Sequence, residues 1–243
     1  MTSLIILVIA AILLGGITLW KQRSPAQLRE IPAFTKLAHA LGLSIEDGKR
    51  LHISLGRGSL LYARGGSAFA GLALLRNIAE RTSVSDMPSV ASAGDPALGL
   101  LTQDTLQAGY QAAGVDELYV PTSGRVTGLT PFSYAAGAMH IAQDENVSTN
   151  IVIGHVGAEV GLLTESSDRN NVNLIGASDD LAGQSILYAN TQDPLIGEEL
   201  FAAGAYLNSD ATHTASLTVQ DIFRWVIILV ILGGAAAKFV GVI

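Results

Sequence analysis

Apolar residues gather first at the two ends of the chain and then, in short alternating bursts, along its middle. Ser3 to Trp20 reads SLIILVIAAILLGGITLW without a charge. At 1.5 Å per residue that run makes a helix of about 27 Å, enough to cross a hydrocarbon core. Trp20 stands where an interfacial aromatic is expected, and Lys21 and Arg23 follow it within reach of headgroups. A cleaved signal peptide needs a basic stretch ahead of its apolar run; only Met1 and Thr2 precede this one, so a retained span is the expectation. A second apolar segment, Ile222 to Ile243, carries WVIILVILGGAAA from Trp225 to Ala237 and then Lys238. With a helix start near Ile222, Lys238 falls about 24 Å along, close to the far interface, where its stem can snorkel. A re-entrant or surface-lying helix is the alternative. Small residues recur at four-residue spacing, Ala11 with Gly15 and Gly233 with Ala237, which offers close helix packing within one copy or between copies.

Between the ends, an amphipathic stretch from Ala33 to Leu41 gives way to short β-type runs alternating with helical ones. Strands are expected at His52–Leu55, Ser89–Ala93, Glu117–Val120, Asn150–Ile153, Val172–Ile175 and Ser185–Ala189. Helices are expected near Ala68–Arg81, Ala97–Ala113, Pro131–Glu145, Val156–Glu165 and Pro194–Leu207. Strands as uniformly apolar as Asn150-Ile-Val-Ile fit burial on both faces. The reading is therefore an α/β fold: a mostly parallel, Rossmann-like sheet with helices on both faces, flanked by N- and C-terminal transmembrane helices. In domain terms, residues 1–23 form the first span and its basic flank, 24–221 a soluble α/β domain, and 222–243 the second span. Asp95-Pro96 and Asp193-Pro194 are each expected to follow a strand and open a helix, with Asp as the cap and Pro in the first turn. This echo is either two similar turns or the trace of two related half-domains.

Composition adds three constraints. Charged residues make up only 14% of the chain, against roughly 25% in ordinary soluble domains, so outer surface is expected to be covered by other copies or another protein. A net charge of −7 without a basic patch argues against nucleic acid as a partner. The absence of Cys removes disulfides, thiolate metal sites and cysteine nucleophiles. Lys21, Arg23, Arg29 and Lys36 just after the first apolar run place the domain in the cytoplasm and both chain ends outside. In such a loop the Asn146-Val147-Ser148 sequon carries no glycosylation meaning.

Candidate chemistry is sparse. Ligands of open parallel sheets collect at strand carboxyl ends, where Asp95, Gly154, His155, Gly157, Glu159, Ser178, Asp179, Asp180 and Asp193 are expected. Converging acids suit Mg²⁺ or Ca²⁺, but capping accounts for Asp95, Asp179 and Asp193 without a metal. No metal site is assigned. Gly154-His155-Val156-Gly157-Ala158-Glu159 follows a strand and starts a helix, so its amides can cradle an anion, yet it lacks G-x-G-x-x-G spacing. His155 is a proton carrier or a hydrogen-bonded structural residue. Gly56-Arg57-Gly58-Ser59 and Arg64-Gly65-Gly66-Ser67 each join an Arg to exposed amides, which would suit a phosphate or an acidic headgroup; a turn whose arginines pair with neighbouring acids is the preferred reading. His39, His52, His140 and His213 are scattered, no G-x-S-x-G elbow occurs, and no catalytic residue is assigned. The ligand candidates are thus Arg57, Arg64, Gly154, His155, Gly157, Glu159, Asp179 and Asp180. The sequence names no cofactor.

The terminal span, Phe34-Thr-Lys-Leu-Ala-His-Ala-Leu-Gly-Leu, the Val84-Ser-Asp-Met-Pro-Ser-Val-Ala-Ser-Ala-Gly-Asp run and Asn150-Ile-Val-Ile-Gly-His-Val-Gly-Ala-Glu together resemble an uncharacterised bacterial membrane-anchored family known only as a domain of unknown function. The resemblance covers most of the soluble domain and implies no catalytic residues. The expected role is a structural or scaffolding membrane protein that self-associates into a homo-oligomer, with the lipid bilayer and other membrane proteins as further partners. A membrane-anchored domain that binds or senses a nucleotide or small anion is the alternative.

Overall fold

In the computed structural model, which describes residues 2–21, 28–59, 65–208 and 211–239, six parallel strands form one sheet. Arg23 and Arg64 lie outside the described residues. In chain order the elements are α1 (Thr2–Lys21), α2 (Pro32–Glu46), β1 (Arg50–Gly56), α3 (Gly65–Thr82), β2 (Val90–Ala93), α4 (Pro96–Ala112), β3 (Gly124–Val126), α5 (Pro131–Asp144), β4 (Val147–His155), α6 (Val160–Arg169), β5 (Asn173–Ser178), α7 (Leu181–Asn190), β6 (Leu195–Ile196), α8 (Glu199–Asn208) and α9 (Ala211–Phe239). The strand order is β3-β2-β1-β4-β5-β6, with every neighbouring pair parallel. Elements divide between two compact units, Glu30–Leu207 and the two terminal segments.

Side-chain alternation along the strands assigns the helix layers. Leu55 and Ile153 meet α3, whose Gly71 sits so close that an added Cβ would lie 2.8 Å from Leu55 Cδ2. Ser54 and Val152, one residue away, point the other way: Ser54 bonds Tyr134 of α5, and Val152 packs with Ala138, Val160, Leu163 and Leu187 from α5, α6 and α7. The expected parallel α/β sheet with helices on both faces is present.

Several elements differ from the sequence reading. Glu117–Val120 is not a strand: Asp116–Leu118 and Pro121–Ser123 are 3₁₀ turns. There the amide of Leu118 is spent on Val115 and that of Tyr119 on Asp116, while Pro121 has no N–H to give a ladder. The edge strand instead forms at Gly124–Val126. Ser185–Ala189 lies inside α7, because Asp180 accepts hydrogen bonds from the amides of Ala182 and Gly183 and starts a helix whose Gly183 and Leu187 face inward four residues apart. Pro194–Leu207 is not one helix: β6 comes first, and Gly197, at φ 62°, turns the chain before α8. Asp193 therefore caps nothing; it pairs with Lys36 of α2. The second Asp-Pro turn and the strand-to-helix echo fall with it.

The terminal unit holds two helices long and apolar enough to cross a membrane, with candidate spans Leu4–Lys21 and Thr212–Phe239. α9 starts well before Ile222 and runs 29 residues, about 43 Å at 1.5 Å rise, with Lys238 in its last turn. Trp20 and Trp225 are both exposed on these helices. α1 packs along α9, and its half-buried positions Ala10, Leu13, Leu14, Ile17 and Thr18 follow the three-and-four spacing of a helix contact. The glycines do not mediate it. A Cβ added at Gly15, Gly16, Gly233 or Gly234 would meet nothing within 4 Å, so the close small-residue packing expected within one copy is not used here.

Candidate functional site

Strand order reverses direction between β1 and β4, and in open α/β sheets such a switch point leaves a crevice beyond the strand carboxyl ends. Here the two strands end almost in contact. Gly56, at φ 70°, would place a Cβ 2.5 Å from the carbonyl oxygen of His155, and Gly154, at φ 137°, would place one 2.3 Å from that of Leu55. Only glycine fits both positions, in conformation and in space. The amide of Arg57 then donates to the His155 carbonyl at 2.9 Å, so the Arg57 and His155 side chains leave from one backbone junction.

From that junction two polar pairs extend. Arg57 Nε donates to Glu159 Oε1 at 3.2 Å, with Glu159 only 4% exposed. The Arg57 stem lies over Gly94, after β2, so closely that a Cβ there would come 2.3 Å from its Cγ. Among the described residues the two terminal guanidinium nitrogens of Arg57 have no partner. His155 Nδ1 bonds Asp179 Oδ1 at 2.7 Å, both side chains about one-fifth exposed. The register Gly154↔Ser178 sets the residues after them side by side, and the Asp179 amide donates to the Gly154 carbonyl at 3.3 Å. Asp179 is thus a histidine partner and not the expected cap; the cap of α7 is Asp180. No described residue accepts a hydrogen bond from the amides of Gly157, Ala158 or Glu159.

The expected candidates Arg57, Gly154, His155, Gly157, Glu159, Asp179 and Asp180 therefore gather at this one end of the sheet, while Arg64 is outside the described residues. Asp95 caps α4 by accepting from the Leu98 amide at 3.0 Å. Ser178 is fully buried and ties strand ends together, donating to the Val156 carbonyl at 2.7 Å. Asp193 lies at the opposite end, before β6. No group of three or more His, Asp or Glu side chains that could hold a metal ion occurs among the described residues.

Beneath the crevice runs a buried polar row that the sequence reading passed over. Tyr134 is fully buried; its hydroxyl accepts from the Gly56 amide at 2.9 Å and bonds Ser54 Oγ, and burial pushes its pKa up. His52, also fully buried, bonds Ser92 Oγ through Nε2 at 2.9 Å. Burial lowers its pKa to about 4 against the smaller opposing effect of Asn150. Among the described residues His52 Nδ1 and Asn150 Oδ1 each have no hydrogen-bond partner, although the residues stand opposite on β1 and β4. Asn150 Nδ2 donates to Ser167 Oγ at 3.2 Å. The signal available in the sequence was the polar alternation His52, Ser54 within an otherwise apolar strand.

A separate concavity of about 560 Å³ opens between α2, the end of α6, the start of β5 and the turn after α7. Its Lys36 pairs with Asp193 and also donates to Gln192, and His39 stands in the same lining. At the switch point the terminal nitrogens of Arg57 and the amides of Gly157, Ala158 and Glu159 have no partner among the described residues.

These features define the class: a doubly wound parallel α/β unit carrying a polar switch-point site, with an apolar helix of membrane-crossing length toward each end of the chain. The chain belongs to the family described as a domain of unknown function (DUF6754), whose model matches residues 1–243. No curated protein and no solved structure matches it.

Proposed function

We propose that this chain is a membrane-anchored domain that binds or senses a phosphate-bearing ligand, a nucleotide or small anion, at the crevice between β1 and β4. The observation that carries the reading is Arg57: held by Nε on Glu159 at the glycine junction, it presents its terminal nitrogens at the switch point. The amides of Gly157, Ala158 and Glu159 add donors beside it, and a guanidinium fork suits phosphate oxygens. The two apolar helices support anchoring in a bilayer, and Lys21, Arg29 and Lys36 favour a cytoplasmic domain. The test is thermal unfolding of the full chain in detergent with ATP, GTP, inorganic phosphate or pyrophosphate. A ligand at one hundred times its Kd adds about 2.7 kcal/mol to the bound state, so a clear upward shift that Arg57→Ala removes is expected. Absence of any shift at millimolar concentrations would sink the reading.

Self-association is a second reading, favoured by apolar side chains left exposed on the α/β unit: Phe69, Leu100, Phe132, Leu181 and Tyr188 are each more than half exposed. With so few charges, such a surface suits contact with other copies. Crosslinking in native membranes checks it, and a single monomer band would remove its support.

A further inference from the structure

The geometry points to hydrolysis of a phosphoanhydride at this same crevice, with His155 Nε2 as the general base; the inference rests on the binding reading above. His155 is presented as a base is. Its Nδ1 is fixed on Asp179 at 2.7 Å, and among the described residues its Nε2 has no partner. A carboxylate on Nδ1 sets the tautomer that leaves Nε2 as a lone-pair acceptor and stabilises the imidazolium once a proton arrives. The pair sits on rigid supports, since its two residues directly follow the paired Gly154 and Ser178 on neighbouring strands. The His155 carbonyl also holds the Arg57 amide, and a Cβ added at Gly58 would lie 3.6 Å from His155 Cβ. A phosphoryl group held by Arg57 would lie at the same junction from which the His155 side chain leaves.

In the step, a water oxygen bonds to the terminal phosphorus while the bridging P–O bond breaks. The water proton passes to His155 Nε2, and the bridging oxygen leaves with the remaining phosphate. The products are inorganic phosphate and the leaving phosphate or nucleoside diphosphate; the imidazolium returns its proton to solvent, and no redox partner is needed. An anhydride is the substrate class because its leaving phosphate departs as a stabilised anion, so the site needs only one base. His155 is the catalytic residue and Asp179 a positioning residue.

Phosphate release is measured from the full chain in detergent with ATP, GTP and pyrophosphate, each metal-free and as its magnesium salt, alongside ligand-induced thermal shift. Wild type is expected to turn over at least one of them. His155→Gln should lower kcat by about 10²–10⁴-fold while retaining the thermal shift. Asp179→Asn should lower kcat by at least tenfold with KM unchanged, a split that a merely structural role would not give. If anhydrides shift the melting of wild type but are never cleaved, or if His155→Gln cleaves within threefold of wild type, the hydrolysis inference is overturned and the binding reading stands. If none of the three binds, this inference falls outright, and inorganic phosphate alone then decides the binding reading. Should His155→Gln show no shift, His155→Asn and the Asp179→Asn KM-against-kcat split decide: loss of both parameters together overturns the base assignment.

Discussion

Replacing His52 should flatten the acid sensitivity of the α/β unit, and the size of the effect follows from its burial. In the folded chain its pKa is about 4, against 6.5 when unfolded, chiefly because burial disfavours the charged ring. Above pH 6.5 the ring is neutral in both states and costs nothing. As pH falls from 6.5 towards 4 the unfolded chain takes up a proton that the folded chain refuses, so stability drops by about 1.4 kcal/mol per unit. Below 4 the folded form protonates too and the loss levels off at about 3 kcal/mol. Thermal unfolding of wild type and His52→Gln, each at pH 7.5 and 4.5, isolates this group because other titrations are common to both proteins. The variant starts lower, having lost the bond to Ser92, but the gap should narrow by about 2–3 kcal/mol on acidification. Parallel pH dependence in the two proteins, or a His52 imidazole that titrates near 6.5 by NMR, would refute the reasoning.

Tyr134→Phe leaves the Gly56 amide buried without an acceptor, and a loss of about 1–3 kcal/mol by denaturant titration is expected. Gly154→Ala forces a Cβ to within 2.3 Å of a backbone oxygen at φ 137°; a loss of about 3 kcal/mol or more, or failure to accumulate folded protein, should follow. Asp180→Ala should cost about 1 kcal/mol through the lost α7 cap, read as a lower melting temperature. Lys36→Ala, by contrast, breaks a half-exposed ion pair and should change stability by less than about 1 kcal/mol.

What the sequence revealed followed physical strength of signal. β4 and β1 are visible because Ile151, Val152 and Ile153, or Leu51, Ile53 and Leu55, are buried in the sheet centre and outweigh the polar residues His52, Ser54 and Asn150 buried beside them. β3 and β6, three and two residues at the edges, are held by a few ladder bonds and leave almost no pattern. Ser185–Ala189 reads as a strand because it is apolar at neighbouring positions, whereas only Gly183 and Leu187 of α7 are buried and the Asp180 cap is what decides. At the site, glycine next to a strand end was enough to place Gly154 and His155 at the crevice. The pairing of His155 with Asp179 was not legible, since it depends on a register between β4 and β5 that no local pattern encodes. Tyr134 was hidden for the same reason: it sits on α5, far in sequence from the Gly56 amide it accepts from.

Both tryptophans of the chain, Trp20 and Trp225, stand exposed on the apolar terminal helices, and the α/β unit has none. Excitation at the red edge of the ultraviolet therefore lights only those helices, and their emission wavelength reports the polarity around them without labelling. Ligand bound at the switch point has no indole beside it within the α/β unit to quench directly. A change in tryptophan emission on adding nucleotide would thus report on the surroundings of the terminal helices, not on an indole of the α/β unit.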